Sequence, residues 1–131
     1  MKALFLCFLT LLVLTACQDD DDQLSPVNGT WRLSAVLSDP GNGSGTFQPV
    51  DSDRILELRA NGAYTATGDL CRFTTDADAS TTGVYNITDG TLFPDDCVTT
   101  GGTPLSLFID GDELTIDYPC IEPCRHRYTR Q

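Results

Sequence analysis

The sequence predicts an all-β fold, specifically a small eight-stranded antiparallel up-and-down barrel. From Asn28 onward there is no convincing helical periodicity, and β-rich runs alternate with turn residues. Short Asx-Gly turns separate these runs at Asn61-Gly62, Asp89-Gly90 and Asp110-Gly111. An Asx-Gly pair between two alternating runs is the strongest local signal for a β-hairpin, because these residues readily adopt positive φ.

Side chains within the runs alternate between apolar and polar, which is typical of strands with one buried face. In the run after Gly111, for example, Leu114 and Ile116 fall on one face, and Thr115 and Asp117 fall on the other. The predicted strands are residues 30–38, 54–60, 63–70, 82–88, 91–93, 105–109, 113–118 and 125–130.

The two ends of the predicted barrel differ. If the strands run up and down in order, all three tight turns fall at one end. The longer connections, residues 39–53, 71–81, 94–104 and 119–124, fall at the other end, which we call the long-loop end. A closed barrel of this size removes the exposed strand edges and holds at most one ligand at its mouth. Phe47, in the longest connection, is a candidate lid residue, and a solvated surface loop is the alternative.

The N-terminus resembles that of a bacterial lipoprotein. A short basic start precedes an apolar run, residues 4–14, whose length suits a signal peptide and is too short for a permanent membrane span. The run ends in Leu14-Thr15-Ala16-Cys17, which resembles a lipobox. The resemblance implies cleavage before Cys17 and fatty acylation, such as palmitoylation, of that cysteine. An ordinary secretory signal is the alternative.

We therefore expect a signal peptide at residues 1–16, a lipidated acidic tether at 17–27 and a barrel domain at 28–131. The run Gln18-Asp19-Asp20-Asp21-Asp22-Gln23 is too acidic to pack and resembles the surface-export signals of some Gram-negative lipoproteins. The expected location is the outer membrane of a Gram-negative bacterium. The domain is expected either on the cell surface or on the periplasmic side of this membrane.

Charge limits the choice of partner. The chain has 19 acidic and eight basic residues, and the only lysine, Lys2, is lost with the signal peptide. Nucleic acid is excluded as a partner, because binding phosphates requires a basic surface. The lipid on Cys17 is the expected membrane contact, and we expect a monomer without a cofactor.

The cysteines predict two disulfides. Cys7 leaves with the signal peptide and Cys17 is lipidated, so four cysteines, an even number, remain in an oxidising compartment. The strand order places all the remaining cysteines at the long-loop end. Cys71–Cys97 and Cys120–Cys124 are the favoured pairs, and the other two pairings stay open. A metal site formed by Cys120, Cys124 and His126 is the disfavoured alternative.

Several short motifs resemble lipocalins and the shorter lipocalin-like lipoproteins of bacteria. Gly29-Thr30-Trp31 is similar to the Gly-x-Trp that opens the first lipocalin strand. The resemblance implies that Trp31 closes the barrel floor and that a basic side chain of the last strand, Arg127 or Arg130, packs over it. The other matching segments are residues 56–64, Gly83-Val84-Tyr85, Glu113-Leu114-Thr115-Ile116 and Arg127-Tyr128.

Two functions fit this architecture, and neither is enzymatic. The chain has no Gly-x-Ser-x-Gly element, and its single histidine, His126, lies in an arginine-rich strand. The first function is binding of a small apolar ligand near the long-loop end. The alternative is a structural or protein-interaction lipoprotein with a filled barrel, because the chain is short. The candidate ligand-lining residues are Leu56, Leu58, Tyr64, Tyr85, Leu107 and Tyr118.

Overall fold

Each predicted Asx-Gly dipeptide reverses the chain between two antiparallel strands. In the computed structural model Gly62, Gly90 and Gly111 have φ values of +82°, +62° and +58°, in the left-handed region that favours glycine. The model describes residues 27–97 and 103–131. The predicted signal peptide, Cys17 and the acidic run of the tether lie outside the described residues.

The described residues form a closed antiparallel β-barrel of eight strands, as predicted, together with one additional short strand. Apart from the additional strand, neighbours in the sequence pair with each other around the sheet, and the last strand pairs with the first and closes it. The strands are β1 (Gly29–Ser38), β2 (Gln48–Pro49), β3 (Ile55–Leu58), β4 (Ala63–Thr67), β5 (Ser80–Asn86), β6 (Thr91–Pro94), β7 (Leu105–Asp110), β8 (Glu113–Asp117) and β9 (Cys124–Arg130).

The additional strand, β2, pairs with Ala35 and Val36 of β1, beyond the point at which β3 leaves the same edge. The connection before it is ordered around Asp39, whose carboxylate accepts hydrogen bonds from the backbone N–H groups of Gly41, Asn42, Gly43 and Gly45. These bonds, above all that from Gly45, lower the pKa of Asp39.

The idea of Phe47 as a lid is wrong. Phe47 lies on the outer wall of the barrel, where its ring centre is 3.8 Å from the guanidinium carbon of Arg127. The pairing of β2 with β1 holds the preceding residues against this wall, away from the barrel mouth.

Both favoured disulfides are confirmed. Cys71–Cys97 links the connection after β4 to the one after β6, and Cys120–Cys124 closes the connection between β8 and β9. Both lie at the long-loop end. In residues 27–97 and 103–131 no helix is long and apolar enough to cross a membrane.

Candidate functional site: a polar cluster inside the barrel

Five of the six candidate ligand-lining residues are buried inside the barrel: Leu56, Leu58, Tyr64, Leu107 and Tyr118. The sixth, Tyr85, is partly buried against the same core. Its hydroxyl lies 2.6 Å from the carbonyl oxygen of Arg59 and 2.8 Å from Oδ1 of Asn28, near the tight-turn end. The alternation of the strands thus brings five of the six to the interior and leaves Tyr85 at the edge of the core.

The interior is packed with large side chains. Trp31, Leu56, Ile116 and Tyr128 have no accessible surface. A side chain that lined a cavity large enough for water would keep some accessible surface, so no water-sized gap lies beside these four residues.

Arg54, which precedes β3, is a buried cation that the sequence analysis missed. Its side chain has no accessible surface, and its guanidinium donates hydrogen bonds to the carbonyl oxygens of Asp69 and Thr74. Both acceptors belong to the connection between β4 and β5, residues 68–79. Among the described residues no carboxylate lies within ion-pair distance of Arg54. Arg54 therefore holds this connection over the barrel mouth while its own charge stays uncompensated.

His126 of β9 lies against Arg54. Its Nδ1 is 3.0 Å from the hydroxyl oxygen of Tyr118 and 3.5 Å from Nη1 of Arg54. Because a guanidinium can only donate, Nδ1 is the acceptor, and the neutral ring carries its proton on Nε2. Burial, assisted by the charge of Arg54, lowers the pKa of His126 to about 3.

Phe73 covers the cluster from the long-loop side. Its ring stacks on His126, with centroids 4.7 Å apart, and meets Tyr118 edge-on at 5.5 Å. Unlike Arg54 and His126 beneath it, Phe73 keeps some exposure. In the sequence, Phe73 stands out only as the single aromatic residue of a mostly polar connection. Arg54 is indicated by its position, which is in step with the inward-facing Leu56 and Leu58.

At the tight-turn end Trp31 closes the floor of the barrel. Its Nε1 donates a hydrogen bond to the carbonyl oxygen of Val27 at 3.0 Å. Val27 was expected in the tether, yet it is only 4% exposed and packs against the core. The guanidinium carbon of Arg130 lies 4.2 Å from the ring centre of Trp31, and its Nη1 donates to the carbonyl oxygen of Asn28.

The basic side chain over Trp31 is thus that of Arg130, and the assignment of Arg127 to this role is wrong. Along β9 the side chain of Arg127 points to the outside, opposite to those of His126 and Tyr128. There it contacts Phe47, and its Nε lies 3.6 Å from the carboxylate of Glu113.

The three candidate metal ligands are not arranged as ligands. The sulfurs of Cys120 and Cys124 are bonded to each other, and His126 points into the barrel. Within the part of the chain that the structure describes, no group of three histidine, cysteine or acidic side chains is placed to hold a metal ion.

The outer surface of the long-loop end carries exposed acidic residues and one fully exposed apolar residue. Ile121 is 100% exposed in the connection closed by Cys120–Cys124. Beside it lies a shallow groove of about 380 Å³, lined in part by Pro104, Pro119 and Pro123. Exposed acidic residues of the connections at this end are Asp51, Asp53, Asp76, Asp78, Asp95, Asp96 and Glu122.

No family model, curated protein or solved structure matches this chain. The fold itself is a small closed eight-stranded antiparallel β-barrel, and this architecture is compatible with a lipocalin-like fold.

Proposed function

We propose that this protein is an outer-membrane lipoprotein of a Gram-negative bacterium, anchored by lipid on Cys17, whose filled lipocalin-like barrel is a non-enzymatic interaction module. The observation that carries the proposal is the absence of accessible surface at Trp31, Leu56, Ile116 and Tyr128. Because side chains fill the space that a ligand would occupy, the outer surface is left as the functional part of the domain.

The long-loop end is the best candidate for the contact surface. Exposed apolar residues on rigid loops are effective anchors in protein interfaces, since little entropy is lost on binding. Ile121 meets this description, because the Cys120–Cys124 disulfide closes its loop and Asp39 N–H donates to the carbonyl oxygen of Pro123. The neighbouring Glu122 and the other exposed acidic residues of this end favour a protein partner that presents an apolar pocket with basic residues at its rim.

Photo-crosslinking in intact cells tests this surface. A photo-crosslinking amino acid at position 121 of the full-length lipoprotein should yield one discrete crosslinked protein. The matched control carries the same group at position 84, on the outer barrel wall, where Val84 is 54% exposed. The affinity of the purified pair should fall as ionic strength rises. Equal crosslinking from both positions, or an affinity that salt leaves unchanged, would contradict the proposal.

The anchor is tested separately with Cys17→Ser. The wild-type protein should incorporate labelled palmitate and stay with the membrane fraction, whereas C17S should incorporate none and be recovered in soluble form. Equal labelling of the two proteins would contradict lipidation at Cys17. Protease added to intact cells should remove the wild-type domain if it faces outward and spare it if it faces the periplasm.

Binding of a small apolar ligand inside the barrel stays a prediction. It requires the side chains of Leu56, Leu58, Tyr64 and Leu107 to separate, although they are now buried in one contiguous core. Titration with a neutral apolar fluorescent probe decides between the two functions.

A further inference from the structure

Exposed apolar side chains are gathered on one side of the barrel, the outer face of β5, β6 and β7, which we call the apolar wall. Val84, Ile87, Phe93 and Phe108 are each between 41% and 59% exposed there. Val84 and Phe93 are direct cross-strand partners, so their side chains are neighbours. Ile87 and Phe108 line one shallow groove of about 560 Å³. Single exposed apolar residues are ordinary, whereas four on adjacent strands mark a contact surface.

The apolar wall is almost free of charge. Its three strands contain one charged residue, Asp110, the last residue of β7. Their other exposed residues are polar but neutral, such as Thr82, Asn86 and Ser106. In the part of the chain that the structure describes, none of the ion pairs involves β5, β6 or β7. In a chain with a net charge of −11, this wall can meet an apolar surface without the cost of removing charges from water.

The chain enters the barrel beside this wall. Val27 lines the same groove as Ile87 and Phe108. It is fixed there, because its side chain is buried and its carbonyl oxygen accepts the hydrogen bond from Nε1 of Trp31. Val27 follows Cys17 by ten residues, so even a fully extended tether spans no more than about 35 Å. A lipid on Cys17 therefore keeps the apolar wall close to the bilayer.

We propose that the apolar wall rests on the surface of the membrane, with Ile87, Phe93 and Phe108 in the interfacial region of the bilayer. This inference rests on the lipid anchor that we propose at Cys17. The anchor attaches the domain, and the wall determines which side of the barrel faces the lipid, since burial of apolar area strengthens interfacial binding. Strand β1 and its neighbours β3 and β9 then face the solution, and Ile121 at the long-loop end stays accessible to a partner.

The charges at the border of the wall indicate the kind of lipid. Asp89 lines the groove, Asp110 ends β7, and Asp95 follows β6 and accepts a hydrogen bond from Thr82. These carboxylates are repelled by anionic headgroups, so a bilayer with zwitterionic headgroups is the matching surface. A second copy of this chain is a poorer match, because it would bring two acidic borders together.

Quenching of tryptophan emission by brominated lipid tests the contact. The protein is produced from its full-length sequence, purified and reconstituted in phosphatidylcholine vesicles, with or without bromine on the acyl chains. Phe108→Trp should lose emission in the brominated vesicles, because bromine quenches an indole that it contacts. The matched control Glu57→Trp carries the indole on the exposed face of β3, across the barrel from β7. It should lose no more emission than the wild type, whose single tryptophan, Trp31, is fully buried.

Flotation of the same samples measures the anchor separately. Protein that does not float with the vesicles would contradict the anchor and, with it, this inference. Flotation with equal quenching of F108W and E57W, or with no quenching of F108W beyond that of the wild type, would overturn the wall contact alone. A shift of F108W emission to shorter wavelength without quenching would show that a protein surface, such as a second copy, covers the wall, and would also overturn the proposal. If F108W does not fold, Phe93→Trp provides the same comparison with E57W.

Discussion

The hydroxyl oxygen of Tyr118 lies 3.0 Å from Nδ1 of His126, and both side chains are buried under the long-loop end of the barrel. The hydroxyl donates a hydrogen bond to Nδ1, which can accept it because the imidazole is neutral. Protonation of His126 would break this hydrogen bond and place a second positive charge beside Arg54. The contact therefore makes the stability of the barrel sensitive to acid.

We predict that stability falls as pH decreases below about 6.5. The pKa of His126 is about 3 in the folded protein, against an ordinary value of 6.5. Between these two values the unfolded chain binds a proton that the folded chain does not, so the free energy of unfolding decreases as pH falls through this interval. The contribution of His126 to the pH dependence fades within about one pH unit above 6.5, as the unfolded chain also becomes neutral at this residue. His126 changes the free energy of unfolding by at most about 1.4 kcal/mol per pH unit.

Chemical denaturation between pH 5 and 7 measures this slope. The control is His126→Gln, whose amide oxygen can still accept from Tyr118 but does not titrate in this range. Wild type should lose stability more steeply than H126Q on acidification. Identical slopes would mean that His126 does not stay neutral in the folded barrel.

Arg54→Met should destabilise the barrel by about 3 kcal/mol. The substitution removes two hydrogen bonds from a charged donor to the carbonyl oxygens of Asp69 and Thr74, and each such bond contributes about 1.5–3 kcal/mol. Backbone amides of residues 68–79 should also exchange faster with solvent. Arg72→Met, which removes an exposed arginine from the same connection, should change stability by less than about 1 kcal/mol. Equal effects of the two changes would exclude Arg54 as the residue that holds this connection.

Gly68→Ala should lower the free energy of unfolding much more than Gly43→Ala does. Both glycines have positive φ, +86° and +75°, so both substitutions carry the backbone cost of an alanine there, about 1–2 kcal/mol. At Gly68 the added Cβ also collides with Nε of Arg54 and the carbonyl oxygen of Asp76, whereas at Gly43 it meets nothing within 4 Å. We expect the collision to add about 2 kcal/mol. Equal losses of unfolding free energy would show that Arg54 does not pack against Gly68.

Arg130→Met should shift the fluorescence of Trp31, the only tryptophan in the chain. The substitution removes the cation above the indole ring and the hydrogen bond to Asn28, at a cost of about 1–2 kcal/mol. Arg127→Met, the matched change on the outer wall, should leave the emission maximum in place. A shift with R127M and none with R130M would reverse the assignment of the residue that covers Trp31.

The predictable parts of the fold are those that depend on local chemistry or on strand order. Asn61-Gly62 forms a hairpin turn because its own backbone preferences dictate it. The order of the strands favoured the pairing of Cys71 with Cys97, with the other pairings left open, because an up-and-down barrel brings successive connections at one end close together. The inward-facing positions of Leu56 and Leu58 followed from simple alternation.

The polar cluster was not predictable in the same way, because it runs against the usual preferences of its residues. A cation such as Arg54 is rarely buried without a carboxylate, and Phe73 lies in a connection whose composition indicates a solvated loop. Strand β2 depends on pairing with β1, since Gln48 and Pro49 have no strand signal of their own. Arg130 is in step with the inward-facing Tyr128 along β9 and Arg127 is not, so alternation alone would have separated the two arginines.

Titration of the purified protein with a neutral apolar fluorescent probe tests most directly whether the barrel is filled. Because side chains without accessible surface occupy its interior, we predict no saturable binding and no lipid that co-purifies inside the domain. Saturable one-to-one binding that Leu56→Trp abolishes, while the surface change Phe108→Trp leaves it intact, would contradict a filled barrel and establish the apolar-ligand function instead.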